Sequence, residues 1–293
     1  MQSFTIRDIE NLTGIKAHTL RIWEQRFDFF KSKRKESQHR FFDNEDLKKL
    51  LRISFLYHNG WKISKIAALT DSEVIEEVRN TKIADNSHYL YVTKLLEAAV
   101  DFNELLVVQI LNDTISRMGF EATIINVCYP FLNRVGLLWS TNNIIPAQEH
   151  FSSYIIQNRI VTETDKLPLV PGDKEILLVA PEGEFHELPL LFINYLLRKN
   201  SWSVIYLGTG ISRKDVQQIN LLQHIKYIYL HLITNFTGLE ADDYFEHICK
   251  TFADKKIVAS GEGIKHVQRN FTNLTLLRTN KEIYDFINQK TRP

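Results

Sequence analysis

The chain has 293 residues, with 36 Lys or Arg against 35 Asp or Glu and a formal net charge of +1. That length is too great for one ordinary core and suits two or three domains, and the near-neutral balance gives no global sign of nucleic-acid binding. Two cysteines, Cys128 and Cys249, exclude a disulfide framework and a cysteine-based zinc site. A polar start and the lack of an apolar run of about 18 residues lead to the expectation of a reducing cytoplasm, with no signal peptide and no membrane span.

The first helix is expected over residues 6–12, capped by Thr5, with Asp8 three positions on completing a capping-box pattern. Gly14 turns the chain into a second helix at about 16–26, which carries Lys16, His18, Thr19, Arg21, Trp23 and Arg26. Two short helices joined through a glycine turn are the helix-turn-helix arrangement. A basic turn follows, with Lys33, Arg34, Lys35 and Arg40, and it ends in Phe41-Phe42. Residues 16–40 hold eight basic and three acidic side chains. Such a run is often only a solvated face. Inside a helix-turn-helix frame it is the electrostatic footprint of a DNA reader. His18, Arg21 and Arg26 are then the candidates for base edges or phosphates, and Lys33, Arg34, Lys35 and Arg40 for the backbone.

Asp43 caps a helix over 44–58, with Leu47, Leu50, Leu51 and Phe55 on one face, and Gly60 ends it. A short helix over 61–69 closes this small core. The next stretch, 72–82, is short, and 85–87 reads as a linker, so residues 1–85 form the first domain. Residues 86–165 read as a four-helix bundle. Asp101 is expected to cap its second helix, which ends near Gly119. The third helix, 124–139, is apolar almost all round and should bend at Pro130. Pro146 suits the first position of the fourth.

Residues 166–173 contain two prolines and a glycine and read as a linker. Beyond it the period changes. Strands are expected at 176–180, 203–207, 227–232, 256–259 and 274–277. Helices are expected at 188–198, 215–222, 240–252, 263–268 and 282–289. This alternation means a Rossmann-like parallel sheet wrapped by helices over 174–293, with its ligand edge at the carboxyl ends of the strands. The loop after the first of these strands contains Glu184, His186 and Glu187. An imidazole there can ligate a metal, with Glu184 or Glu187 orienting its other nitrogen. On the residues alone a capping or surface role is the favoured reading.

The N-terminal residues resemble the MerR family of transcriptional regulators. Thr19, Leu20, Arg21, Trp23 and Glu24 match its helix pattern, and Arg40, Phe41 and Phe42 its wing; Ile22 and Phe42 replace an aromatic residue and a Tyr. The spacing of Trp139 from Glu149-His150, together with Glu184-x-His186, is similar to the CarH/LitR group, MerR-type light-sensing repressors that use adenosylcobalamin. The resemblance covers nearly the whole chain. It implies His186 as the lower cobalt ligand, with Glu184 in the same loop motif, and Trp139, Glu149 and His150 as the upper cap. It also implies that Thr234, Ser260 and Gly261 meet the nucleotide tail. Pro189 stands at that group's loop glycine, His231 at its serine, and Ser260-Gly261 at its glycine pair.

The resulting expectation is a DNA-binding transcriptional regulator of MerR type, not an enzyme, acting as a homodimer or higher oligomer. Its C-terminal half senses a ligand, possible adenosylcobalamin and light. One alternative is a regulator whose sensory domain binds no cobalamin. An alternative of another class is a cobalamin-carrying module of a methyltransferase or mutase; the chain has no room for a catalytic barrel. Gly208-Thr209-Gly210 follows a strand but lacks the third glycine of a dinucleotide fingerprint.

Overall fold

The computed structural model describes residues 4–27, 30–34, 40–81, 88–140, 146–169, 175–212, 215–216, 218, 225–233 and 240–289. The chain divides into two compact units, Met1–Ile156 and Gln157–Pro293.

In the first unit, Thr5 and Asp8 form a reciprocal box at the start of α1 (Ile6–Thr13). Gly14 ends α1 at φ +67°, and its N–H donates to the Glu10 carbonyl at 2.8 Å. α2 (Ala17–Arg26) buries Leu20 and Trp23. The Trp23 ring meets Tyr57 edge-on, 4.9 Å between centroids. β1 (Lys33–Arg34) pairs antiparallel with β2 (Arg40–Phe41), and Phe4 bridges Phe42, so the expected wing is closed against the chain start. α3 (Asn44–His58) begins at a box of Asp43 and Asp46 and buries Leu47, Leu50, Leu51 and Phe55. α4 (Ile63–Ile66) and α5 (Asp71–Asn80) follow, the latter boxed by Thr70 and Glu73.

The bundle helices of this unit are α6 (His88–Val100), α7 (Glu104–Met118), α8 (Phe120–Thr123), α9 (Tyr129–Ser140) and the first part of α10 (Pro146–Asp165), which runs on into the second unit at Gln157. Two expectations are corrected here. The cap of α7 is Asn103, whose side chain accepts from the Leu106 N–H at 3.1 Å. Phe102, at φ +52°, turns the chain sharply after α6 and brings Asn103 to the cap position. Asp101 instead accepts from Lys48 of α3 at 2.9 Å. The distortion near Pro130 is a π-helical turn, Ile124–Cys128, between α8 and α9. A proline cannot donate to the carbonyl four residues back and its ring crowds that oxygen. Here that carbonyl belongs to Asn126, inside the widened turn.

The second unit holds a five-stranded parallel sheet in the order β4-β3-β5-β6-β7. The strands are β3 (Ile176–Val179), β4 (Val204–Gly208), β5 (Tyr227–His231), β6 (Lys256–Ser260) and β7 (Leu274–Leu277). All four β3 residues are buried, as in a strand covered on both faces. α11 (Glu187–Lys199), α12 (Ala241–Thr251) and α13 (Asn280–Asn288) are the described helices, with a 3₁₀ turn at Glu262–His266 where a short helix was expected. The helix expected at 215–222 falls mostly outside the described residues. Leu177, Val179, Ile228, Leu230, Ile257 and Ala259 pack on Phe245, Ile248 and Phe252 of the α12 side. The Trp202 indole donates to the Ile287 carbonyl at 2.8 Å and ties down α13.

The strand order reverses its direction of growth at β3. The crevice at the carboxyl ends of β3 and β5 is therefore the topological switch point, where such sheets bind ligands. Among the described residues no helix is long and apolar enough to cross a membrane.

Candidate functional site

The burial of Leu20 and Trp23 sets the outward face of α2. His18, Arg21, Ile22 and Gln25 are all exposed and stand at helical spacings of three, four and seven from His18. Lys16 and Arg26 flank them, also exposed, and Thr19 is half-buried. Ile22 is 39% exposed, an apolar side chain left outward on a polar face. Glu10 fastens the start of α2: one oxygen accepts from the Ala17 N–H at 2.9 Å, the other from Lys16 at 3.0 Å. Glu24 accepts from the Ser32 N–H at 2.7 Å and ties the wing to α2. Gln25 and Ile22 were missed as site residues in the sequence; their spacing from His18 and Arg21 was the signal.

The wing residues differ among themselves. Lys33 pairs with Asp43 and, at 3.1 Å, with Asp46, and the hydrogen bond to Asp43 raises its pKa. Part of its charge is thus committed to the start of α3. Arg34 and Arg40 face each other in the β1–β2 register, with side chains outside the described set. Lys35 lies outside the described residues.

At the sheet edge, the loop after β3 folds back on itself. Glu184 is 1% exposed. One of its oxygens accepts from the His186 N–H at 2.9 Å and bonds His186 Nδ1 at 2.6 Å. The other accepts from the Ile233 N–H, just past β5, at 2.8 Å. A carboxylate can only accept, so it places the proton on Nδ1 and leaves the Nε2 lone pair available as a ligand. The His186 side chain is about half exposed, 47%. The choice between Glu184 and Glu187 is settled by partners distant in sequence. Glu187 accepts from the Tyr206 hydroxyl at 3.0 Å and the Gln157 amide at 3.2 Å.

Ser260 is fully buried and serves its neighbours. Its hydroxyl bonds Tyr229 at 2.7 Å and His231 Nδ1 at 2.8 Å, across the paired ends of β5 and β6. Gly261, at φ +99°, lies so close to the chain that a Cβ there would stand 2.1 Å from the Leu232 carbonyl. Ser260 and Gly261 therefore hold β5 against β6. Pro189 is the third residue of α11, a position whose N–H has no partner inside a helix, so proline is accommodated there. Thr234 lies outside the described residues. In the first unit, Trp139 sits near the end of α9, its side chain outside the described set. Glu149 is in the first turn of α10, and its carboxylate lies 3.6 Å from the exposed His150 ring.

Burial pushes the His231 imidazole down to about 4 from an ordinary value of 6.5, with Glu184 opposing and His186 adding to the fall. Its neutral form is thus the folded one. Between pH 6.5 and 4 the unfolded chain takes up the proton and the folded one does not, so stability is lost as pH falls through that window. The full effect is roughly 3 kcal/mol at most. Urea unfolding followed from pH 7 to 4 should show that loss, and His231→Gln should flatten it. Equal pH slopes for the two proteins would refute the assignment.

These features define a class: a winged helix-turn-helix joined to a helical bundle, with a parallel sheet that presents an oriented imidazole at its switch point. The family model of MerR HTH family regulatory proteins matches residues 4–73, and that of the B12 binding domain matches residues 91–161. The chain is 28% identical to the HTH-type transcriptional repressor CarA of Myxococcus xanthus over 270 residues, 91% of this chain and 90% of CarA. It is 23% identical to the repressor CarH of the same organism over 83% of each chain. It is 31% identical to the regulator MlrA of Salmonella typhimurium over 77 residues, 26% of this chain and 32% of MlrA. The monomethylamine corrinoid protein of Methanosarcina barkeri shares the fold, with a TM-score of 0.54 at 14% identity over 68% of this chain and 98% of that one. The chain is a MerR-type transcriptional regulator that carries a B12-binding domain and is homologous to CarA and CarH.

Proposed function

We propose that this regulator senses a corrinoid, adenosylcobalamin in particular, and reads DNA with the outward face of α2. The observation that carries the ligand reading is the Glu184–His186 pair at the carboxyl edge of β3. The donor set fits a lower axial ligand, since Nδ1 is held by a buried carboxylate and Nε2 is left for a metal. The resemblance to the CarH/LitR group adds Trp139, Glu149 and His150 as the upper cap. Bound there, adenosylcobalamin would supply a cobalt–carbon bond that light can break. The protein's own part is to orient His186 and, through Glu184, to direct Nδ1 away from the metal side.

On the DNA side, His18, Arg21 and Gln25 offer donors and acceptors to base edges, and Ile22 a methyl-sized apolar contact of the kind thymine accepts. Lys16, Arg26, Arg34, Lys35 and Arg40 are assigned to phosphates, with Lys33 contributing less because two carboxylates already hold it. A homodimer or higher oligomer would read a palindrome-like site.

A second reading has its own support. Ser260 and His231, at positions the resemblance assigns to the nucleotide tail, hydrogen-bond each other, and Ser260 also bonds Tyr229. This favours a sensory unit that takes no cobalamin. Titration of the full chain with adenosyl-, methyl- and hydroxocobalamin in the dark separates the two. The ligand reading expects a coloured complex and a changed affinity for a duplex obtained by random-site selection. Colourless protein and no heat of binding with all three would leave the second reading.

A further inference from the structure

The turn of the helix-turn-helix is held from outside the DNA-binding domain. α1 ends with carbonyls that have no partner within the helix. The Thr13 carbonyl accepts from the Ser54 hydroxyl at 2.8 Å and bonds His58 Nε2 at 3.0 Å, both on α3. It also accepts from the hydroxyl of Tyr89, on α6 of the bundle. The Leu12 carbonyl accepts from Arg134 of α9 at 3.3 Å. The Arg134 guanidinium lies over the Tyr89 ring, 4.6 Å from its centroid, and the His58 ring meets Tyr89 edge-on at 4.6 Å. Tyr89 also fits against Gly14 itself, where a Cβ would stand 2.9 Å from its hydroxyl. Two bundle side chains thus grip the last carbonyls of α1 and the glycine that aims α2.

We propose that Tyr89 and Arg134 are positioning residues for DNA recognition, setting the angle at which α2 leaves the Gly14 turn. Neither lies in residues 4–73, the segment that matches the DNA-binding family. Both spend their polar groups on the last carbonyls of α1, so neither is assigned to DNA contact. A change of entry angle misaligns base contacts, which need close geometry, and leaves phosphate attraction nearly intact. The signature is therefore a loss of specificity without a loss of general affinity. Trp139 lies further along the same α9 as Arg134. A ligand that moved Trp139 would move the grip on the turn; this extension rests on the corrinoid reading, and the positioning role does not.

The test uses the full chain, a duplex selected from random sequence by the wild type, and an unrelated duplex of equal length. Tyr89→Phe removes one hydrogen bond and keeps the ring, and Arg134→Gln removes the cation. Each should weaken specific binding roughly three- to tenfold, the range expected of one hydrogen bond near such a turn. Binding to the unrelated duplex and the salt slope should stay at wild-type values. The double variant should lose less than the product of the two, since both act on one contact. Amide exchange over residues 14–20 should quicken in each. Should either variant fail to fold, Arg134→Lys, which keeps a cation over the ring, is expected to retain part of the specificity and is read in its place. Unchanged specificity in the folded variants, or equal loss on both duplexes, would overturn the proposal.

Discussion

Glu184→Gln is expected to weaken cobalamin binding by roughly 10- to 100-fold, the usual cost of losing the partner that orients a metal-ligating imidazole. Glu184 is 1% exposed and serves three donors: the His186 N–H, His186 Nδ1 and the Ile233 N–H. Glutamine fills the same volume but carries an amide that must face at least one of those donors. A buried donor left unpaired costs about 1–3 kcal/mol, so the ligand-free protein should also unfold at lower urea. The imidazole would then lose its fixed tautomer and its direction. His186→Ala acts differently, because it removes the nitrogen itself and leaves Glu184 able to keep Ile233 in place. Its bound corrinoid should show a shifted visible spectrum, since the axial nitrogen sets the electronics of the cobalt. Absorption spectra and titration calorimetry read the two effects separately. Wild-type and His186→Ala complexes with the same spectrum and the same affinity would show that His186 is not the axial ligand, whatever becomes of DNA binding.

Much of the scaffold was legible because it is written in short-range chemistry. The boxes of Thr5 with Asp8 and Asp43 with Asp46 join residues three apart, and both helices start where those residues stand. The switch from helical to strand-helix period announced the parallel sheet in the same way. What failed was also local but subtler. Asp101 and Asn103 are both good caps, and the decision fell to the left-handed conformation of Phe102 between them. Pro130 signalled a distortion without saying whether the helix would bend or widen, and a π turn answered it. At the sheet edge the undecided point was which carboxylate serves His186. That depends on Tyr206 of β4, which engages Glu187, and on the Ile233 N–H beyond β5, which engages Glu184. Neither partner adjoins the loop in sequence. The same holds for Ser260, whose partners Tyr229 and His231 meet it only through the register of β5 on β6.

On the DNA side, Arg21→Ala is expected to cost roughly 1–3 kcal/mol of specific binding, the worth of one well-placed base contact. Arg21 is the charged member of the exposed face formed with His18, Ile22 and Gln25, and buried Leu20 and Trp23 hold that face outward. If Arg21 reads a base, the variant should relax sequence preference at one position of the selected site in each half. Gln25→Ala should relax a neighbouring position, since glutamine pairs best with adenine. Lys16→Ala, at the start of the same helix, should weaken all sequences alike and lower the salt slope by about one. Lys33→Ala should lower it by less, because Asp43 and Asp46 already hold the ammonium and a phosphate must compete with both. The measurements are anisotropy titrations on selected and scrambled duplexes at several salt concentrations. The base-reading role of α2 is rejected if Arg21→Ala and Gln25→Ala bind the selected duplex as the wild type does, or lose affinity equally for both duplexes.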